Sequence, residues 1–350
     1  MPDDRLIPNH LFAINERYAP CSLFHAFAGK INMAENYTLN STKAYHLEKL
    51  STLGWELTVC NALYPEGTLL RKLLVSNESF GRLLYGYLSK FVPMSNVSRV
   101  LEVGGGYGYL MKDFLEKNKS LSACMLDISS VLLGKQRETL KGLCVDFREE
   151  DFLETQIGNL SGFDLAIMNE NLGDFPSLIN LSTEIFEEQF NINDPVLKWI
   201  IELFEKYDLD RPKGETFNMN IGAIEAVEKL CNANIPYIYL GEHSCEASVP
   251  EGLRSIIRVE STGNPERIGL AGHDEYTIQF SYLEKVATSH DYRSVRGSFA
   301  DFMPIKMTDE IRFALSSGGH YSDEAEMICQ FVEDLYKYEY LILMKKEAAT

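Results

Sequence analysis

The residues best suited to chemistry lie in LEVGGGYGYL, positions 101–110. Residues 99–103 read as a short apolar strand, four glycines follow within five positions (Gly104, Gly105, Gly106, Gly108), and 109–116 has amphipathic-helix spacing. Glycine lets a backbone turn sharply at a strand end and lets a ligand approach the main chain. The helix that begins there presents unpaired N–H groups to that ligand. Glu102 is an acid on an otherwise apolar strand, and a carboxylate near a sheet needs a partner. The spacing argues against a dinucleotide, whose turns follow GxGxxG, because the sixth position here is Tyr109.

An acid followed by alternate glycines, Glu102, Gly104, Gly106 and Gly108, resembles the first motif of the class I S-adenosylmethionine (SAM) methyltransferases at all four positions. The resemblance implies SAM as cofactor and S-adenosylhomocysteine as product. It also implies that an acid ending the next strand takes the ribose hydroxyls, which points to Asp127, with Ile128 beside it. Asp151 after the third strand would hold the adenine amino group, with Phe152 offering a backbone N–H and Asn169 completing the cofactor set. A sulfonium methyl is already activated, so the enzyme must chiefly align an acceptor and exclude water. A nitrogen or oxygen acceptor must also lose a proton. Class I enzymes place the groups for this after the fourth strand. There Glu170 is the leading acid, able to pair with a guanidinium or amine, Asn169 offers its amide oxygen, and Asp174 is a third candidate. His243 follows the fifth strand as a further candidate. No metal is expected, because the histidines at 10, 25, 46, 273, 290 and 320 show no ligand spacing.

These groups need a scaffold. Apolar spacing predicts a helical N-terminal region, 1–95, with helices over 41–53, 57–63 and 80–91. A cofactor-binding core, 96–177, alternates strands at 97–103, 121–126, 143–147 and 163–168 with helices at 110–116 and 131–140. A helical insertion spans 178–235, helical from 178 to about 206. The remainder, 236–350, carries strand 237–240, antiparallel strands within 253–283, helix 323–337 and strand 340–344. The expected class is α/β: a Rossmann-like class I methyltransferase sheet with a helical N-terminal region and an inserted helical and antiparallel substrate-binding segment.

Further segments, in order, resemble the MidA-like methyltransferases. They are Ser76-Asn77-Glu78-Ser79-Phe80-Gly81, Asp127-Ile128-Ser129 with Gln136-Arg137-Glu138, FDLAIMNENLGDFP at 163–176, residues 217–223, 272–283 and 340–344. That family includes a mitochondrial complex I assembly factor that methylates an arginine of a partner subunit, so the resemblance implies transfer to a protein arginine. Two departures keep other readings open, a small-molecule N- or O-methyltransferase or a catalytically weak SAM-binding assembly factor. The acid of the family's NExxDALP motif falls on Gly173, and that of its DYG-like motif on Tyr239.

A formal charge of −18 over 350 residues repels phosphate backbones and favours a basic acceptor, protein or small molecule, over nucleic acid. No apolar run approaches the length of a membrane span, and the first residues lack the layout of a signal peptide. Seven scattered cysteines without a CxxC suit a reducing cytoplasm. A homodimer is left open.

Overall fold

The computed structural model describes residues 37–50, 58–187 and 193–346. Of the expected N-terminal helices, 51–53 and 57 lie outside the described residues, as does everything before 37.

The apolar runs form one seven-stranded sheet: β1 (Arg99–Val103), β2 (Ser122–Asp127), β3 (Val145–Glu149), β4 (Leu165–Asn169), β5 (Tyr237–His243), β6 (Tyr292–Ser298) and β7 (Tyr338–Lys345). Its order is β6-β7-β5-β4-β1-β2-β3. β7 runs antiparallel to both its neighbours, and the other pairs are parallel. The chain leaves β1 towards β2 on one side and reaches β4 on the other. The crevice outside the carboxyl ends at such a switch point is where open α/β sheets bind ligands.

Alternation along the strands builds two apolar layers. Leu101 and Val103 join Leu126, Met168 and Leu240 under the helices Pro195–Tyr207, Ile221–Asn232 and Phe280–Ser289. Val100 joins Met125, Ile167 and Ile342 under the helices Phe80–Leu88, Tyr109–Lys117 and Asp323–Lys337. Glu102 shares the face of Val100, a carboxyl within an apolar layer.

The core strands and the helix Asp323–Lys337 fall where the spacing put them. Residues 178–182 do not continue a helix: Ser177–Ser182 is a strand between Thr38–Asn40 and Thr216–Met219. A bulge between Leu178 and Leu181, with Asn180 at φ 61°, turns both leucines inward. An i, i+3 apolar pair then mimics helical spacing. In the expected antiparallel stretch the hairpin Arg267–Gly269 with Asp274–Tyr276 pairs, Ile278 makes an isolated parallel bridge to Ser244, and Phe280 opens a helix. The helix Ile221–Asn232 carries a polar stripe at helical spacing, Glu225, Glu228, Lys229 and Asn232, yet it is buried from Ile221 to Cys231, its charged side chains included.

Candidate active site

The carboxyl ends of β1, β2 and β4 and the turn after β3 line a cavity of about 350 Å³, to which residues from 39–46 and 58–61 also contribute. Gly104, Gly106 and Gly108 have φ of 64°, 52° and 80°, left-handed values that a side chain would strain. Gly104 and Gly106 line the cavity. Gly108 instead caps the helix Tyr109–Lys117, packed against Leu140 and Gln136. The loop is tied to the sheet at three points. The Gly104 N–H donates to the Leu126 carbonyl at 2.9 Å, the Asn171 amide donates to the Val103 carbonyl, and Gln136 Nε2 donates to the Gly106 carbonyl at 3.1 Å.

Glu102 lines this cavity at 2% exposure, and its Oε2 finds no hydrogen-bond partner among the described residues. Burial, reinforced by the charge of Asp127, pushes its carboxyl up to about 8. The buried Oδ1 of Asn171, also at the wall, is likewise without a partner. Asp127 ends β2 as expected. Its Oδ1 accepts the Ser129 N–H and its Oδ2 accepts Gln136 Nε2, both at 2.9 Å. Burial outweighs those bonds and lifts it to about 6. Gln136, unremarked as a site residue in the sequence, therefore couples the acid of β2 to the glycine loop.

Ile128, Asp151 and Phe152 also line the cavity. Asp151 pairs with Lys43 at 2.8 Å, while its Oδ1 accepts the Leu153 N–H at 2.9 Å. The Phe152 carbonyl is one of three that buried Lys229 satisfies. The turn after β3 is thus a built feature and not a merely solvated acidic run.

Asn169 Oδ1 accepts the Tyr239 hydroxyl at 3.3 Å, and its Nδ2 donates to Glu170 Oε1 at 2.9 Å. A Cβ on Gly241, opposite Asn169 in the register, would meet Tyr239 Oη at 2.7 Å and Asn169 Oδ1 at 2.8 Å. The glycine admits this pair. Glu170 sits at φ 54°, a costly conformation for a residue with a side chain. Its carboxylate accepts the Val59 N–H at 2.8 Å and the Cys60 N–H at 3.1 Å, the first amides of the short helix Val59–Ala62. Burial raises it to about 7 against the pull of those bonds. Glu170 is therefore both a cavity wall and the seat of an overlying segment, a role its neighbours in sequence did not reveal.

Asp174 lines the cavity too, with Oδ1 2.8 Å from His46 Nε2 and 3.7 Å from His273 Nε2. The two histidines lacked ligand spacing and meet only in the fold. His243 stays out of the cavity, its ring 3.7 Å from that of Tyr338 and its pKa pushed down to about 3 by burial. Of the tyrosines flanking the glycines, Tyr109 reaches the cavity and stacks on Tyr64 at 3.6 Å.

Neither a family model nor a curated protein sequence matches the chain. Solved structures do match its fold. An uncharacterised ACR superfamily protein from Burkholderia thailandensis superposes with a TM-score of 0.53 at 13% identity, over 93% of this chain and 90% of that one. A second member of that superfamily from the same organism, bound to S-adenosyl-homocysteine, gives 0.47 at 13% identity over 93% and 91%. With the sheet order, the first likeness shows the expected α/β fold, the Rossmann-like class I methyltransferase architecture. No helix among the described residues is long and apolar enough to cross a membrane.

Proposed function

We propose that the chain is a SAM-dependent methyltransferase acting on a basic nitrogen, with a protein arginine as the acceptor that its motifs favour. The observation that carries this reading is the charge of the cavity wall. Seven carboxyl groups line it (Glu102, Asp127, Glu150, Asp151, Glu154, Glu170, Asp174) against a single lysine, Lys43. Even with Glu102 kept protonated by burial, such a wall selects a cationic ligand. Glu102 and Asn171 fit one in particular, since both hold buried acceptor oxygens beside the glycine loop that find no donor among the described residues. A ligand carrying an ammonium and a sulfonium meets that need.

When bound, SAM supplies a methyl group that leaves its sulfur for the acceptor nitrogen, which gives up a proton. The chain's own residues prepare this. The glycine loop, braced by Gln136 and Asn171, shapes the floor. Asp127 would take the ribose hydroxyls, and Asp151 with the Phe152 backbone would hold the adenine; all three residues line the cavity. Glu170, lifted to about 7, suits a group that orients a guanidinium and takes its proton near neutral pH, with Asn169 holding the acceptor N–H. Leu39, Thr42, Thr58 and Asn61 also line the cavity, where they would limit the water that reaches a bound ligand.

Incubation of the chain with methyl-labelled SAM and a cell lysate tests the proposal. Label in protein, recovered as methylarginine, supports it. Label only in small molecules moves the acceptor to a metabolite, and no transfer leaves a binding or assembly role.

A further inference from the structure

We infer that His46, His273 and Asp174 form a binding site for one divalent transition-metal ion of the zinc class. The three residues come from the helix Lys43–Glu48, the turn after β4 and the hairpin following Arg267–Gly269, which the fold brings to one point. Their ligand atoms all lie within 4.8 Å of one another. His46 Nε2 is 2.8 Å and His273 Nε2 3.7 Å from the same oxygen, Asp174 Oδ1. Donors bonded to zinc at ~2.0–2.1 Å in a tetrahedron are ~3.3 Å apart, so the two separations bracket the required edge. The His46–Asp174 contact is an ion pair and His273 Nε2 lies within hydrogen-bond distance of Glu275 Oε1; one ion would draw both imidazole nitrogens and the Asp174 oxygen to a single centre.

The surroundings hold this geometry. Tyr45 stacks on His273 at 4.1 Å and 22°, Thr42 Oγ1 donates to the Asp174 carbonyl at 2.8 Å, and Asn40, at the end of the strand Thr38–Asn40, donates its side-chain amide to the Asp274 carbonyl of the hairpin at 2.8 Å. Glu275 Oε1, 3.2 Å from His273 Nε2, adds a second carboxylate beside the site. Two imidazoles with carboxylate suit zinc, cobalt, nickel or iron better than magnesium or calcium, which prefer oxygen donors alone. Three protein donors leave a coordination position open. Since His46 and Asp174 also line the cavity, the ion would stand in its wall and join three chain segments there.

The full-length chain, freed of any affinity tag and stripped by a chelator, is titrated with Zn²⁺ and with Co²⁺. The expected result is one ion per chain and visible Co²⁺ bands typical of four-coordinate nitrogen and oxygen ligands. His273→Ala should weaken binding by at least about 100-fold, beyond the loss typical of supporting residues. His273→Gln, which keeps more of the side-chain volume, serves as the second variant, and circular dichroism confirms that each is folded. SAM affinity is measured alongside: His273 does not line the cavity, so loss of the ion with SAM binding kept tests this site apart from the proposed activity. No stoichiometric uptake, equal uptake by folded His273 variants, or Co²⁺ bands of thiolate character would overturn the inference.

Discussion

Replacing Glu102 with glutamine should stabilise the ligand-free protein, and the gain should grow with pH. In the folded chain Glu102 is buried, its Oε2 has no partner among the described residues, and its carboxyl is pushed from 4.5 up to about 8. Between those values the folded state keeps a proton that the unfolded chain releases. The stability of the wild type therefore falls as pH rises through this window. Each pH unit is worth ~1.36 kcal/mol, so the full window amounts to roughly 4–5 kcal/mol, as an order of magnitude. Glutamine cannot ionise and escapes the loss. Asp127 and Glu170 shift in the same direction, so the difference between wild type and variant, not either curve alone, isolates Glu102. Urea unfolding at about pH 5 and about pH 8 measures that difference. A gap that widens by several kcal/mol supports the reasoning. An equal gap at both would refute it, since Glu102 would then be ionised in the folded state and satisfied by a partner.

Three further perturbations probe the site. Glu170→Gln turns an amide –NH2 towards the Val59 or Cys60 N–H and should cost ~1–3 kcal/mol of stability, a loss that shrinks with rising pH because glutamine escapes the ionisation that burial opposes. It should also slow methyl transfer about 100-fold while SAM still binds, and full turnover in the variant would remove Glu170 from the chemistry. Gly241→Ala drives a Cβ against Tyr239 and Asn169, so thermal melting should report a loss of ~1–3 kcal/mol; an unchanged melt contradicts the close approach. Lys43→Ala breaks the bridges to Asp151 and Glu154 at a side chain 44% exposed, so stability should change by less than ~1 kcal/mol. SAM should bind that variant more tightly, by up to about fivefold, as a competing positive charge leaves the wall. Weaker binding would make Lys43 a ligand-holding residue.

The glycine loop, the acid of β2 and the turn after β4 were legible because each rests on local chemistry: glycine where φ turns positive, a carboxylate at a strand end. Sheet strands with continuous apolar runs and the helix Asp323–Lys337 were legible from their periods. What escaped was what only tertiary contact creates. The bulge at Asn180 disguised a strand as a helix, and the helical spacing of Glu225, Glu228 and Lys229 gave no sign that this charged face is buried. His46 and His273 are separated by most of the chain, and no spacing rule joins them. Gln136 entered only through the likeness of Gln136-Arg137-Glu138 to a family element, yet it is fully buried and bridges Asp127 and Gly106. The Asp expected where Gly173 stands is replaced by a different arrangement, in which the Gly173 N–H donates to buried Glu242 at 3.3 Å.

The central claim is that the crevice beneath residues 104–106 receives a cationic sulfonium ligand. Calorimetric titration of SAM into the full chain and into a folded Asp127→Ala variant tests it most directly. Saturable one-to-one binding in the micromolar range by the wild type, lost in the variant, is the predicted result; no binding to the wild type, or equal binding to both, would contradict it.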